Sequence, residues 1–295
     1  SQLVKDPFKV ASNIPGATEI DRFQLSMHLD QDFGKVNLKS ITAFSNWKLG
    51  PNIVDLDLTA FDLSRSSIRH EQNLSSQEFR LQSDQDADVR WLSGLAYLNK
   101  DNQGLANRFF PIGNNISANQ FTSFDIDEES VALFGNVQWD AVEDLTIEVG
   151  GRLESVENSI SRSKTDPGGG FIPLPPAFAG ESNGVYFSPS LGANYVVTSE
   201  TSVFARTSLS YKPQGFTAYS DNPATTEFDE EQSLETEIGV RYQSSDQSMG
   251  GELRGYFKQI DDYQLNQSVP VTDFIIVNAD RVEALGVEGE VFWKP

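Results

Sequence analysis

At 295 residues, with 38% hydrophobic and 11% aromatic content, the chain is long enough for one large β domain or two ordinary domains and has the composition of an ordered protein. Its 22 lysines and arginines against 43 aspartates and glutamates leave a formal net charge of -21, which excludes nucleic acid and anionic membrane surfaces as general partners. The absence of cysteine excludes disulfides and thiolate metal sites; no charged-then-apolar leader and no run near the ~18 apolar residues of a spanning helix is seen, which leaves a membrane crossing by strands open.

Residues 1–20, with Pro7, Pro15, Gly16 and little periodicity, are expected to form an irregular lead-in, and residues 21–295 one β domain. Period-two alternation then begins: Phe23, Leu25, Met27 and Leu29 share one face of a strand, and Val36, Leu38, Thr42 and Phe44 continue on a second strand ending near Trp47. A long polar connection, 49–76, leads to a strand with Phe79 and Leu81 against Glu78, Arg80 and Gln82; DQDAD turns it and 89–98 returns it. A second long connection, 99–127, precedes a hairpin in which Val131, Leu133, Val137 and Trp139 are followed, after a turn at 141–144, by Leu145, Ile147, Val149 and Leu153. The opposite face of that return strand holds Thr146, Glu148, Arg152 and Glu154.

Proline and glycine over 166–180 forbid regular structure. Val185, Phe187, Leu191, Ala193 and Tyr195 make the next strand, and its return sets Val203, Ala205, Leu209 and Tyr211 opposite Arg206, Ser208, Ser210 and Lys212. The clearest hairpin spans 231–264, with Leu234, Ile238, Val240 and Tyr242 on one face of its first strand, a polar turn SSDQSMGG, and Leu253, Gly255 and Phe257 on one face of its second. After a connection partly extended at 274–277, a last strand over 283–294 carries Val287, Val291 and Trp293.

Short and long connections alternate without exception along these strands, so all short turns fall at one end and all long loops at the other. A soluble sandwich would alternate apolar and polar residues just as well, but its strands run about 5–6 residues with Greek-key crossings, whereas these run roughly 10–13 in a meander, the length that crosses a bilayer at a tilt. The fold class expected is therefore all-β, an antiparallel up-and-down transmembrane β-barrel of about eleven strands, with apolar registers toward lipid and polar registers toward a wet lumen.

Seven segments carry a family resemblance: SITAFSNW (40–47), SSQEFRLQS (75–83), WLSGLAYLNK (91–100), SYKPQGFTAY (210–219), SLETEIGVRY (233–242), GYFKQIDDYQ (255–264) and VNADRVEALGVEGEVFW (277–293). In this order they resemble the barrel portion of TonB-dependent outer-membrane receptors. Such receptors close about 22 strands around a plugged lumen, so the resemblance implies a partial barrel lacking the plug domain and the C-terminal strands. It implies energy-coupled nutrient uptake, an iron-siderophore complex foremost, in the outer membrane of a Gram-negative bacterium. The partners implied are outer-membrane lipid, a small-molecule or metal-chelate ligand, and a TonB-type energy-coupling protein acting through the N-terminal plug region. No enzymatic activity and no cofactor are expected. A soluble acidic carbohydrate-binding or adhesive β domain and a passive porin are the competing readings.

Phe109, Phe110, Phe121, Phe124, Phe171, Phe178, Phe216, Tyr219 and Phe228 all fall in long connections, where exposed aromatics mark binding surfaces or pack loops together. Phe109, Phe110, Phe216 and Tyr219 are the candidate ligand contacts. No catalytic or metal-ligating residue is expected. His28 and His70 stand far apart without a carboxylate at ligand spacing, and read as surface or lumen residues. The acidic clusters Asp84, Asp86, Asp88 and Asp125, Asp127, Glu128, Glu129 lack the Gly and Glu of a calcium loop, and read as polar turn chemistry. Asp261 and Asp262, adjacent on a strand, point to opposite faces and cannot share a substrate, and the glycines at 168–170 lack the Lys-Ser/Thr of a phosphate loop.

Overall fold

The computed structural model describes residues 11–84, 86–113, 116–167, 173–269 and 273–294; the start of the lead-in, the glycines at 168–170 and Phe171 lie outside the described residues. The strands are β1 (Ala17–Asp32), β2 (Val36–Asp55), β3 (Arg65–Ser83), β4 (Val89–Gly113), β5 (Ile116–Val142), β6 (Leu145–Thr165), β7 (Phe178–Thr198), β8 (Thr201–Lys212), β9 (Gly215–Phe216), β10 (Glu227–Phe228), β11 (Glu231–Gln243), β12 (Met249–Val269) and β13 (Asp273–Trp293). Eleven form one antiparallel sheet in the order β1-β2-β3-β4-β5-β6-β7-β8-β11-β12-β13, while β9 and β10 pair separately inside the connection from β8 to β11. This is the expected up-and-down topology. Among the described residues β1 and β13 each pair on one side only, so the sheet is open.

One face of the sheet carries an apolar belt. On β6 it comprises Leu145, Ile147, Val149, Gly151 and Leu153, which pair with Trp139, Val137, Gly135 and Leu133 of β5 and with Tyr195, Ala193, Leu191 and Phe187 of β7. Nine residues at about 3.3 Å each, tilted by about 40°, cover roughly the 25 Å height of a barrel's lipid-facing band. On strands paired on both sides Val149 is 54% exposed, Leu133 62% and Val185 70%. Trp139, Tyr195, Tyr242 and Trp293 ring the short-turn end of the belt as an aromatic girdle. The other face is polar. Arg206 reaches Glu148 and Glu237, Arg254 reaches Glu237, Glu252 and Glu288, and Arg241 reaches Glu252, so the lumen wall balances its charges across neighbouring strands.

Inward rings lie flat where the opposite strand has a glycine. A Cβ at Gly94 would come 2.3 Å from Phe134 Cζ, and one at Gly239 would come 2.5 Å from Phe204 Cζ. The missing side chain is what lets a ring cover the backbone there. Tyr211, expected in the lipid-facing register, instead turns inward: β8 parts from β7 beyond Ser190 and Ser208, and Tyr211 stacks on Tyr186 at 4.1 Å and donates to Glu154.

Several boundaries differ from those read in the sequence. The first strand begins at Ala17, inside the expected lead-in, and the last runs unbroken from Asp273. The connection expected over 49–76 shrinks to 56–64, and that expected over 99–127 is a hairpin whose strands meet at Gly113 and Ile116. Strands of the main sheet thus run from 12 residues in β8 to 27 in β5. The cause is visible on β6: past Leu153 the outward positions become Ser155, Glu157, Ser159, Ser161 and Ser163. Above the belt that face meets water, so the apolar alternation stops while the hydrogen-bonded ladder continues.

Candidate functional site

Above the belt, the outward face turns polar and the inward face becomes the buried one. The inward positions of β6 become Val156, Asn158, Ile160, Arg162 and Lys164, all buried, and those of β4 and β5 include Ala106, Arg108, Gln120, Thr122 and Phe124, also buried. They are covered by the β8–β11 connection, residues 213–230, which folds into the concave side of the sheet. Its Ser220 and Thr226 have no exposure at all. The segment holds its own shape: β9 pairs with β10, and a 3₁₀ turn, Pro223–Thr225, is capped by the Asn222 side chain accepting from Ala224 N at 3.0 Å.

Side chains and backbone tie this segment to both flanks of the sheet. On one flank, Asn158 Nδ2 donates to Gln214 O at 3.1 Å, Gln214 Nε2 donates to Asn183 O at 2.9 Å, and Phe216 packs on Phe178 at 6.3 Å. On the other, Gln264 Nε2 donates to Pro213 O and Asp229 O, Asn278 Nδ2 donates to Asp229 O, and Ile276 N donates to Thr217 Oγ1. Lys164 Nζ donates to Asp221 Oδ1 at 2.7 Å, and Arg162 lies 3.5 Å from the same oxygen.

A row of rings crosses the mouth on the inward face. Trp47 of β2 meets His70 of β3 at 5.2 Å, His70 meets Phe124 of β5 at 5.6 Å, and Phe124 meets Tyr219 of the folded segment at 5.4 Å, each edge to face. The β4 residue between His70 and Phe124 is Gly104, where a Cβ would sit 2.1 Å from Phe124 Cζ, so glycine allows the row to pass unbroken. Arg108 stands over Tyr219 at 5.9 Å and over Phe274 of β13 at 5.6 Å. Burial in this row raises the Tyr219 phenol above its ordinary value, against the opposing pull of Arg108. The arrangement sets aromatic rings beside buried cations, a lining suited to an anionic small molecule that carries aromatic groups.

Of the four candidates from the sequence, the structure brings one into this row. Tyr219 is its inner end. Phe110 shares the register of Arg108 one step nearer the hairpin tip and is half-buried. Phe216 is buried between Phe178 and Gly180, a packing role. Phe109 lies in the outward register beneath Arg65, whose guanidinium is 4.3 Å from its ring. Phe109, Phe110, Phe121, Phe124 and Phe178 stand on strands rather than in connections. His70, read as a surface or lumen residue, stands on the lumen side in this row, whereas Trp47, Arg108, Arg162, Lys164, Asp221 and Phe274 are not among the site candidates read from the sequence. A cue existed for two of them: in NSISRSKT the serines alternate strictly with Asn158, Ile160, Arg162 and Lys164, which marks a strand with a wet serine face and a covered basic one.

Among the described residues one acidic group could approach an ion: carboxylate oxygens of Asp101, Asp125 and Asp127 lie within 4.8 Å of one another. Asp125 and Asp127, read as turn residues in the sequence, are mid-strand on β5 and pair with Gln103 and Asp101 in the outward register above the belt. Asp262, by contrast, adopts a left-handed φ of 54°, while Asp261 accepts from Arg281 at 2.7 Å.

A family model described as TonB dependent receptor-like, beta-barrel, matches residues 6–294. The chain belongs to that family. Among curated relatives of this receptor-like barrel, the pesticin receptor of Yersinia pestis is 28% identical over 167 residues, which cover 56% of this chain and 24% of the relative. Among solved structures, the ferric yersiniabactin uptake receptor FyuA from Yersinia pestis aligns with a TM-score of 0.75 at 21% identity, over 93% of this chain and 39% of that one. The pyoverdine outer membrane receptor FpvA from Pseudomonas aeruginosa PAO1 aligns with a TM-score of 0.66 at 13% identity, over 97% and 44%. The chain thus spans about a quarter of the curated relative's length, and the TonB-dependent barrel assignment accounts for the belt, the girdle and the meander together.

Proposed function

We propose that this TonB-dependent barrel forms part of the wall of an outer-membrane receptor that takes up anionic iron-siderophore complexes with aromatic groups by energy-coupled transport. The observation that carries the reading is the mouth itself: in a chain of net charge -21, Arg108, Arg162 and Lys164 are buried on the concave face beside the row Trp47, His70, Phe124 and Tyr219. A ferric complex of phenolate or carboxylate ligands carries negative charge around a greasy, often aromatic body, and stacking with cation–π contact matches both. The cargoes for which the ferric yersiniabactin and pyoverdine receptors are named support the same class. Tyr219 and Phe110 serve as ligand contacts, while Phe216 and Phe109 hold the segment and the hairpin in place.

In this reading the apolar belt sits in the lipid of a Gram-negative outer membrane, and a TonB-type protein supplies energy through a plug region of the receptor. The open sheet and the share of the relatives that is covered support a wall completed by further strands. The test is uptake of radio-iron, presented with a panel of anionic and cationic ferric siderophores, by iron-starved cells whose own copy of the gene is deleted and replaced by wild type or variants. Phe124→Ala and Tyr219→Ala together should weaken uptake affinity about 10- to 100-fold for an anionic chelate, since aromatic anchors dominate small interfaces. Failure of every chelate to enter, with the protein correctly inserted, would remove the siderophore reading.

A further inference from the structure

The ion pair at the mouth suggests what occupies it before a ligand arrives, an inference that rests on the receptor reading above. The side chains of Arg162 and Lys164 are 1% and 2% exposed, whereas the Asp221 carboxylate they share keeps 29% of its surface open. Lysine and arginine heads are seldom so enclosed unless an anion is in reach, because only close opposite charge offsets their loss of water. In the ladder Arg162 stands in register with Phe124 and Phe178, and Lys164 with Thr122, none of them acidic. The carboxylate comes instead from the folded connection, one residue after the fully buried Ser220 and one before the Asn222 cap.

We propose that Arg162 and Lys164 form a subsite for a carboxylate arm of an anionic chelate, and that Asp221 is an internal stand-in which the ligand displaces. A carboxylate exchanged for a carboxylate keeps both buried cations paired, so the exchange conserves the electrostatics of the wall while the segment loses its Asp221 tie to β6 and keeps the Asn158–Gln214 bond there. Its bonds to Gln264 and Asn278 on β12 and β13 remain and act as the pivot. Tyr219 lies two residues before Asp221 and meets Phe124, so the same displacement shifts the end of the aromatic row. Ligand charge and ring position are thereby coupled through one short stretch of chain.

The experiment uses the full-length protein in detergent, citrate as the carboxylate probe, calorimetry at low salt, and a nitroxide on the exposed Ala224 of the segment. Asp221→Asn, which keeps the shape and removes the competing charge, should bind citrate about tenfold more tightly than wild type, and adding Lys164→Gln should cancel the gain. Saturating citrate should loosen the Ala224 label in wild type to the mobility that Asp221→Asn shows without citrate. Equal or weaker binding by Asp221→Asn, a gain that survives Lys164→Gln, no citrate binding by any variant, or a label that does not respond would each overturn the proposal. The outcome is separable from the uptake test: lost siderophore uptake with the citrate shift intact keeps the subsite and changes the cargo, whereas uptake without the shift removes the subsite alone.

Discussion

Phe124 shows how one side chain depends on an absent one. Its ring lies across Gly104 with His70 on one side and Tyr219 on the other, so the tip has no free direction in which to move. Gly104→Ala should cost about 1–3 kcal/mol by overpacking and weaken ligand binding by breaking the row. Gly255→Ala is the control: the nearest atom to its Cβ would be Gly286 O at 3.9 Å, and the change should stay within about 0.5 kcal/mol. Urea unfolding of both variants in detergent checks the difference. At the short-turn end, Asp246 accepts from Ser244 Oγ at 2.7 Å and Ser248 N at 3.0 Å, and these bonds, the hydroxyl's foremost, hold its carboxyl down at about 2. A carboxyl held below its ordinary value stabilises the fold above the ordinary carboxylate range and loses that contribution as pH falls toward 2. The melting temperatures of wild type and Asp246→Asn should therefore differ by the same amount at pH 7 and pH 5, and converge between pH 4 and pH 2.

β6 is the element in which the environment can be followed along a single strand. Outward, it passes from Leu145 through Val149 and Leu153 to Ser155 and Ser163; inward, from Glu148 and Arg152 to Ile160 and Lys164. The outward face loses its apolar residues and the inward face becomes buried at the level where lipid gives way to water outside and the folded connection replaces an open lumen inside. Nitroxides at Val149 and Leu133 should be relaxed by oxygen, which concentrates in lipid, and those at Ser159 and Glu148 by a water-soluble nickel chelate. Val149→Arg near mid-bilayer should cost about 2–4 kcal/mol in folding into vesicles, whereas Ser159→Arg should cost little. A lipid-type response at Glu148 would reverse the register and defeat the barrel assignment.

At the scale of the molecule, curvature makes the site. Arg108 on β4 and Phe274 on β13 are separated by six strands, which in a flat sheet would place them about 33 Å apart at about 4.8 Å per spacing. They are 5.6 Å apart because the sheet curls and the two long strands lean over the folded connection. Cysteines at Arg108 and Phe274 in the full-length protein should thus be bridged by a bismaleimide of about 10 Å reach, well short of the flat-sheet spacing; absence of cross-linking with both thiols reactive to a monofunctional maleimide would contradict the curvature. The same curvature sets the covering segment between partners on β6 and β7 on one side and on β12 and β13 on the other.

The alternation of Leu234 with Glu235 or Val149 with Glu148 was enough, read alone, to establish strands, their facing and the meander, because period two and lipid contact write themselves directly into residue order. The seven family-like segments carried the barrel assignment for the same reason, being strand cores with their turns. What the order of residues did not contain was the reach of β2 through β6 above the belt, because a ladder wetted outside and covered inside keeps its hydrogen bonds without keeping apolar alternation. Nor did it contain the site: Tyr219 could be picked from its loop, but Trp47 and His70 meet only through the pairing register of β2 and β3, and Arg108 and Phe274 become neighbours only when distant strands curve toward one another. Lys164 and Asp221 likewise become a pair only when a connection 57 positions along the chain folds back into the barrel. Those contacts follow from the closure of space around a polar wall, a property of the sheet as a whole rather than of any stretch within it.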